Sequence, residues 1–279
     1  MQRVKPLSLE WCLRRLGVLA VVFWSGFPLV FIVLSSFKQS RDIFIFPPVW
    51  IFAPTVEHYV ELWQKWPDFF TYMRNSLIIA CFATLLAVSG ATLAGYVYSR
   101  YRSTLLTASA FFLIAVRLFP PIVITLPLFP TADYLGLSDT HLLLVLLYAT
   151  FFVSLNTVIM KTFIDGLSTE LDDAARVDGA TEWQTLWRVI LPLTAQGMVA
   201  AAVFVFVFSW NEFLFAFIFT TSNAKTTPLI ISELMGALTG VDWGMLFAAV
   251  SLQLVPIAVF VIVLQRFLIA GLTAGSLKG

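Results

Sequence analysis

The chain has 279 residues, of which 59% are hydrophobic and 12% charged, with a formal net charge of +1. Soluble domains average about 25% charged residues, so this composition and a mean hydropathy of +0.90 exclude an ordinary soluble protein. Near-neutral charge speaks against a nucleic-acid partner, and two cysteines, Cys12 and Cys81, are too few for a disulfide framework or a metal cluster.

A span needs about 20 apolar residues to cross about 30 Å of hydrocarbon. Six stretches qualify, at 16–36, 75–98, 104–129, 142–163, 196–220 and 243–267, which predicts an all-α integral membrane protein in a single domain over 1–279. The first is too long for a cleaved leader and lacks a small-residue cleavage site. With the N-terminus inside, the cytoplasmic segments hold eleven Lys and Arg residues and the outer segments five, as the positive-inside rule requires. The segment 164–195 then faces the cytoplasm.

Taken in order, the first outer segment, 37–74, carries Pro47-Pro48, Trp50, Trp63 and Trp66, and tryptophans there read as interfacial anchors. The second span repeats small residues at Ala87, Ala91 and Gly95, beside Gly90 and Ala94. Such a stripe lets helices approach closely in lipid, within the chain or against another subunit. In the third, Arg117 precedes Leu118-Phe119-Pro120-Pro121. A charge at that depth costs about 2.5–3.5 kcal/mol and has to face a cavity or a partner. Glu212, in Ser209-Trp210-Asn211-Glu212-Phe213, is the second buried charge. Arg117 and Glu212 either lock helices, with each other among the options, or line a path, for which Trp210 and Asn211 supply stacking and hydrogen-bonding groups.

The hairpin reads as two short helices around a glycine. Thr169 and Asp172 sit at capping-box spacing and Thr181 with Gln184 form a second box. Gly179 suits a left-handed helix end, and Trp183, Leu186, Trp187 and Ile190 fall on one side of the second helix, which Pro192 closes. Taken alone, this is either a docking knob or an amphipathic hairpin lying on the bilayer.

The spacing Asp173-Ala174-Ala175, then Gly179, then Val189, then Leu191-Pro192 resembles the EAA coupling loop of the membrane subunits of ABC importers, with Asp173 for Glu and Val189 for Ile. The resemblance implies that Asp173, Ala174, Ala175, Asp178, Gly179, Leu191 and Pro192 couple the chain to a separate ATPase. The stretch 209–213 and the tail at Ser276, Leu277 and Lys278 resemble the shorter permease subunit of maltose-, trehalose- and glycerol-phosphate-type systems. That likeness implies a tail touching the ATPases, although by composition the tail is a frayed glycine-rich end. It also implies a type I importer permease in a prokaryotic inner membrane, with both termini cytoplasmic. The implied partners are a second permease subunit in a heterodimer, two ATPases and an extracytoplasmic substrate-binding protein, and the cargo a sugar or sugar-like solute. No Walker A pattern occurs in the chain, so ATP and Mg are expected on the partner. The chain itself is expected to be no enzyme and to bind no cofactor. A channel using Arg117 and Glu212 as a proton relay would leave the hairpin without a purpose. The two histidines, His58 and His141, show no metal-ligand spacing.

Overall fold

A computed structural model describes residues 9–236 and 240–275. The tail residues Ser276, Leu277 and Lys278 lie outside the described residues. The described chain is helical, without strands. Among the described residues four helices are long and apolar enough to cross a membrane, and two bent helix pairs bring the number of spans to as many as six.

The chain divides into two compact units, residues 1–67 with 233–254, and 68–232 with 255–279. In the first, α1 (Leu9–Ser35) is apolar around its circumference and presents Leu16, Leu19, Val22, Phe23 and Trp24 outward. A turn at Ser40–Asp42 and α2 (Glu57–Lys65) follow.

The second unit is built on α3 (Phe69–Arg100), which packs along α6 (His141–Asp165). Ala80, Ala83, Ala87, Ala91 and Gly95 are buried at three- and four-residue steps. A Cβ on Gly95 would stand 2.9 Å from both the Lys161 nitrogen and the Met160 Cβ, so the stripe serves packing within the chain.

The predicted third span is two helices, α4 (Thr104–Val116) and α5 (Pro121–Tyr134), set at 96°. The Ser103 hydroxyl caps α4 by accepting from the Leu106 N–H. Pro120 and Pro121 lack the N–H groups that would continue the helix, and the chain turns there. After α6 come the hairpin helices α7 (Glu170–Val177), α8 (Glu182–Thr185) and α9 (Leu191–Leu193), the last two joined by a π-helical turn over Leu186–Ile190. The predicted fifth span is likewise divided, into α10 (Ala195–Trp210) and α11 (Leu214–Phe219). Two helices close the chain, α12 (Thr227–Met235) and α13 (Trp243–Gly275).

The two loops at 135–140 and 220–224 are tied by one side chain. The Asp139 carboxylate accepts from the N–H groups of Thr221, Ser222, Asn223 and Ala224 and from the hydroxyls of Thr221 and Ser222, at 2.9–3.1 Å.

Candidate functional site

The hairpin's first helix ends as its glycine requires. Gly179 has φ +81°, its N–H donates to the Arg176 carbonyl, and the Ala180 N–H reaches back to the Ala175 carbonyl at 2.9 Å. These two bonds are the Schellman closure. No heavy atom lies within 4 Å of where a Cβ would stand, so backbone conformation alone demands glycine here.

The second helix opens with the predicted capping box. The Thr181 hydroxyl accepts from the Gln184 N–H, and the Gln184 side chain accepts from the Thr181 N–H. Pro192 has no N–H to offer the preceding turn, and just before it the register slips: the Leu191 N–H donates to the Leu186 carbonyl, five residues back. The helical run continues through Leu193 and bends by 76° into α10.

The first predicted capping box does not form. Thr169 makes no side-chain cap, and Asp172 is turned inward instead. Its carboxylate meets the Arg100 Nε at 2.9 Å, with both side chains under 10% exposed, and accepts from the Tyr96 hydroxyl at 3.1 Å. Arg100 also donates to the carbonyls of Ile164 and Leu167 at 3.3 Å. The Tyr96 hydroxyl lies 3.2 Å from Glu182, which binds Arg176, itself paired with Asp173. Arg176 and Tyr101 hold the Glu182 carboxyl below the usual carboxylate range. One chain of contacts thus fastens the hairpin to the ends of α3 and α6.

A small apolar core completes the attachment. Tyr96, Ile164, Leu186 and Ile190 are buried together, with Leu167, Val189 and Leu191 packed against them. The motif therefore divides in two. Ala175 is buried, and Val189 and Leu191 pack inward, so they hold the hairpin on the helix ends. Asp173, Ala174, Asp178, Gly179 and Pro192 are exposed, and so is Val177 at 87%. The predicted apolar side of the second helix divides as well. Leu186 and Ile190 face in, whereas Trp183 and Trp187 stay outside with their rings 5.5 Å apart.

The four residues named for a path have four different surroundings. Arg117 donates to the Phe151 carbonyl at 3.1 Å, and its guanidinium lies 4.9 Å from the Phe151 ring. It lines a cavity of about 290 Å³ with Leu113, Thr150, Ser154 and Phe215. The Glu212 carboxylate caps α11, accepting from the Phe215 and Ala216 N–H groups. Among the described residues Arg117 and Glu212 form no ion pair with each other, so they do not lock helices by mutual contact. Trp210 is fully buried beside Ala80 and Phe206, with Phe260 packed against this core. Asn211 is exposed and donates to the Val207 carbonyl.

Arg100, Tyr96 and Glu182 were not singled out by sequence reasoning, and Asp172 was read only as a helix cap. The sequence signal for their contact is position, since Tyr96 and Arg100 stand one turn apart at a span's end, Asp172 adjoins the motif and Glu182 lies within it.

Residues 87–273 match the family described as binding-protein-dependent transport system inner membrane component. The chain belongs to that family. It is 32% identical over 266 residues, covering 95% of each chain, to the trehalose/maltose transport system permease protein MalG of Thermococcus litoralis. It is 35% identical over 216 residues, 76% of this chain and 78% of the other, to the trehalose transport system permease protein SugB of Mycobacterium tuberculosis. In three dimensions it matches a chain from the crystal structure of a bacterial ABC transporter involved in the import of the acidic polysaccharide alginate. That match has a TM-score of 0.75 at 18% identity, over 94% of this chain and 97% of that one, and establishes the fold. The chain is thus an importer's membrane component and carries the helical fold expected of one.

Proposed function

We propose that the chain forms half of the translocation path of an ATP-driven importer for a sugar or sugar-like solute and receives its power stroke through the 164–195 hairpin. The observation that carries the coupling role is the division of the motif: its inward half is fastened to α3 and α6 by a buried ion pair and an apolar core, while its outward half is left uncovered. A knob fixed on one side and bare on the other suits a surface that transmits force. The trehalose and maltose in the relatives' printed names support a carbohydrate cargo.

In this reading the partner ATPases seat on Asp173, Ala174, Val177 and Asp178 and hold ATP and Mg. A second permease completes the path, and a binding protein delivers solute from outside. The chain sits in the inner membrane of a prokaryote with both termini inside, and its tail at Ser276, Leu277 and Lys278 reaches the ATPases. Arg117 lines a cavity of the path, and Glu212 holds the broken fifth span in shape.

The test is to extract the tagged chain in mild detergent and identify its companions by mass spectrometry. Recovery of a second multi-span permease and a Walker-motif ATPase is expected. ATPase lost on introducing Val177→Glu, with the permease pair intact, places the contact at the knob. Recovery of the chain without any ATPase under several gentle extractions refutes the reading.

A further inference from the structure

A second constellation lies in the first compact unit and takes no part in holding the hairpin. Helix α2 presents His58 and Glu61 one turn apart, on one face. Asp242 stands immediately before α13. One donor atom from each of the three falls within 4.8 Å of the others.

The imidazole of His58 shows what the cluster is suited to hold. Its Nε2 is 2.7 Å from the Lys38 carbonyl oxygen. A carbonyl only accepts, so a proton is on Nε2, and in the neutral imidazole Nδ1 then carries a lone pair. That Nδ1 is buried without a hydrogen-bond partner, in a side chain only 2% exposed. A buried bare nitrogen forgoes about 1–3 kcal/mol unless something binds it. Metal-ligating histidines have this pattern, one ring nitrogen anchored on a carbonyl and the other turned to the ion. The ring is also clamped. A Cβ on Gly244 would lie 2.1–2.4 Å from three of its atoms, so glycine at 244 is what admits it.

The two carboxylates are each half engaged. Glu61 uses Oε2 for Lys65 at 3.2 Å, and Asp242 uses Oδ1 to cap the Met245 N–H at 3.1 Å. Each has a second oxygen to offer, and both side chains are only partly buried, so they have room to close on an ion.

We propose that His58 through Nδ1, Glu61 and Asp242 bind one first-row divalent cation of the zinc type. One imidazole with two carboxylates supplies three protein ligands at bond lengths of about 2.0–2.2 Å and leaves the fourth position to water. Calcium and magnesium select oxygen donors and have no use for a buried imidazole nitrogen. The bound ion joins α2 to the start of α13, in segments whose basic-residue distribution places them outside the membrane, where metal in the medium has access.

The experiment uses the assembled transporter with its tag removed, stripped by chelator and titrated calorimetrically with zinc chloride alone, with bound metal counted by mass spectrometry. The wild type is expected to hold one more zinc per chain than Glu61→Gln/Asp242→Asn, a variant that leaves the clamped ring untouched. Its affinity is expected to be at least tenfold higher, and zinc should raise its thermal midpoint but not the variant's. His58→Gln should behave as the double variant, and if it fails to assemble the double variant decides. Equal stoichiometry and affinity in wild type and double variant overturn the site. Equal binding of magnesium at the same concentration overturns its assignment to zinc-type ions.

Discussion

Replacing Arg100 with Met removes one partner of the ion pair that fastens the hairpin. The pair is 2.9 Å long, with side chains 7% and 4% exposed, so water is a poor substitute for the lost guanidinium. Asp172 would keep the Tyr96 hydroxyl alone, and the Leu167 carbonyl would lose its Arg100 donor, while the Ile164 carbonyl keeps the N–H groups of Gly166 and Leu167. Leaving one member of a buried pair unmatched costs about 3–5 kcal/mol. At about 1.4 kcal/mol per tenfold, the hairpin should open two to nearly four powers of ten more often. Hydrogen exchange of the α7 amides, followed in the complete transporter in a lipid disc, reads this directly. Adding Asp172→Asn to Arg100→Met removes both charges and should restore part of the protection, a non-additivity of about 1–3 kcal/mol. Unchanged α7 exchange in Arg100→Met, with the spans folded, would refute the claim that this pair holds the hairpin.

Three further perturbations follow from local geometry. Gly179→Ala forces a Cβ into a left-handed backbone at a cost of about 1–2 kcal/mol, with no steric clash added. Gly179→Asn should cost less, because asparagine tolerates that conformation, and the order Gly, Asn, Ala in exchange protection at 176–181 checks it. In Asp139 burial raises the carboxyl pKa, yet the N–H groups of Asn223, Ala224 and Thr221 outweigh it and the group ends well below its ordinary value. A carboxylate so depressed adds stability that is complete above the unfolded pKa of about 3.9 and is lost as pH falls through the folded pKa. Asp139→Asn should therefore loosen the 220–224 loop at neutral pH by about 0.5–1.5 kcal/mol, since most of the N–H groups it releases are exposed and can turn to water, read as faster trypsin cleavage after Lys225. The gap from wild type in exchange protection, corrected for intrinsic rates, should narrow between about pH 5 and about pH 3. Finally, a Cβ on Gly197 would stand 2.5 Å from the Phe163 ring. Gly197→Ala should lower the thermal midpoint of the purified complex, and Phe163→Ala added to it, which removes the ring carbons at 2.5 and 2.7 Å, should recover part of the loss.

What could be read from the sequence and what could not follow from the range of the forces involved. Gly179, the Thr181–Gln184 box and the break at Pro120-Pro121 are local, so residues a few positions apart already determine them. The small-residue stripe of α3 is local too, but its partner is not, and only the structure shows that Met160 and Lys161 fill it. Asp172 marks where local reasoning fails. Its spacing from Thr169 suits a cap worth about 1 kcal/mol, whereas Arg100, 72 positions away in the chain, offers a buried charge partner that wins. Likewise, helical periodicity grouped Trp183 and Trp187 with Leu186 and Ile190, but Tyr96 and Ile164 cover only Leu186 and Ile190, and the tryptophans stay outside.

Under the function proposed above, the same long-range contacts would carry a stroke from the knob to the spans. A force applied at Ala174 or Val177 meets α7, whose inner face is held by Asp172 to Arg100, and a second helix whose Leu186 and Ile190 are buried against Tyr96 and Ile164. Tyr96 and Arg100 belong to α3 and Ile164 to α6, and those two helices touch so closely at Gly95 that they cannot slide without clashing. Packed interiors of this kind transmit displacement instead of absorbing it. A soft connection would dissipate the stroke in the loop. Gly95→Leu should therefore impair transport more than ATPase docking: it pries α3 from α6 and leaves the exposed face at 173–178 as it is. Equal loss of docking and transport in that variant would show that the knob depends on the helix pair for its shape and not for the direction of its motion.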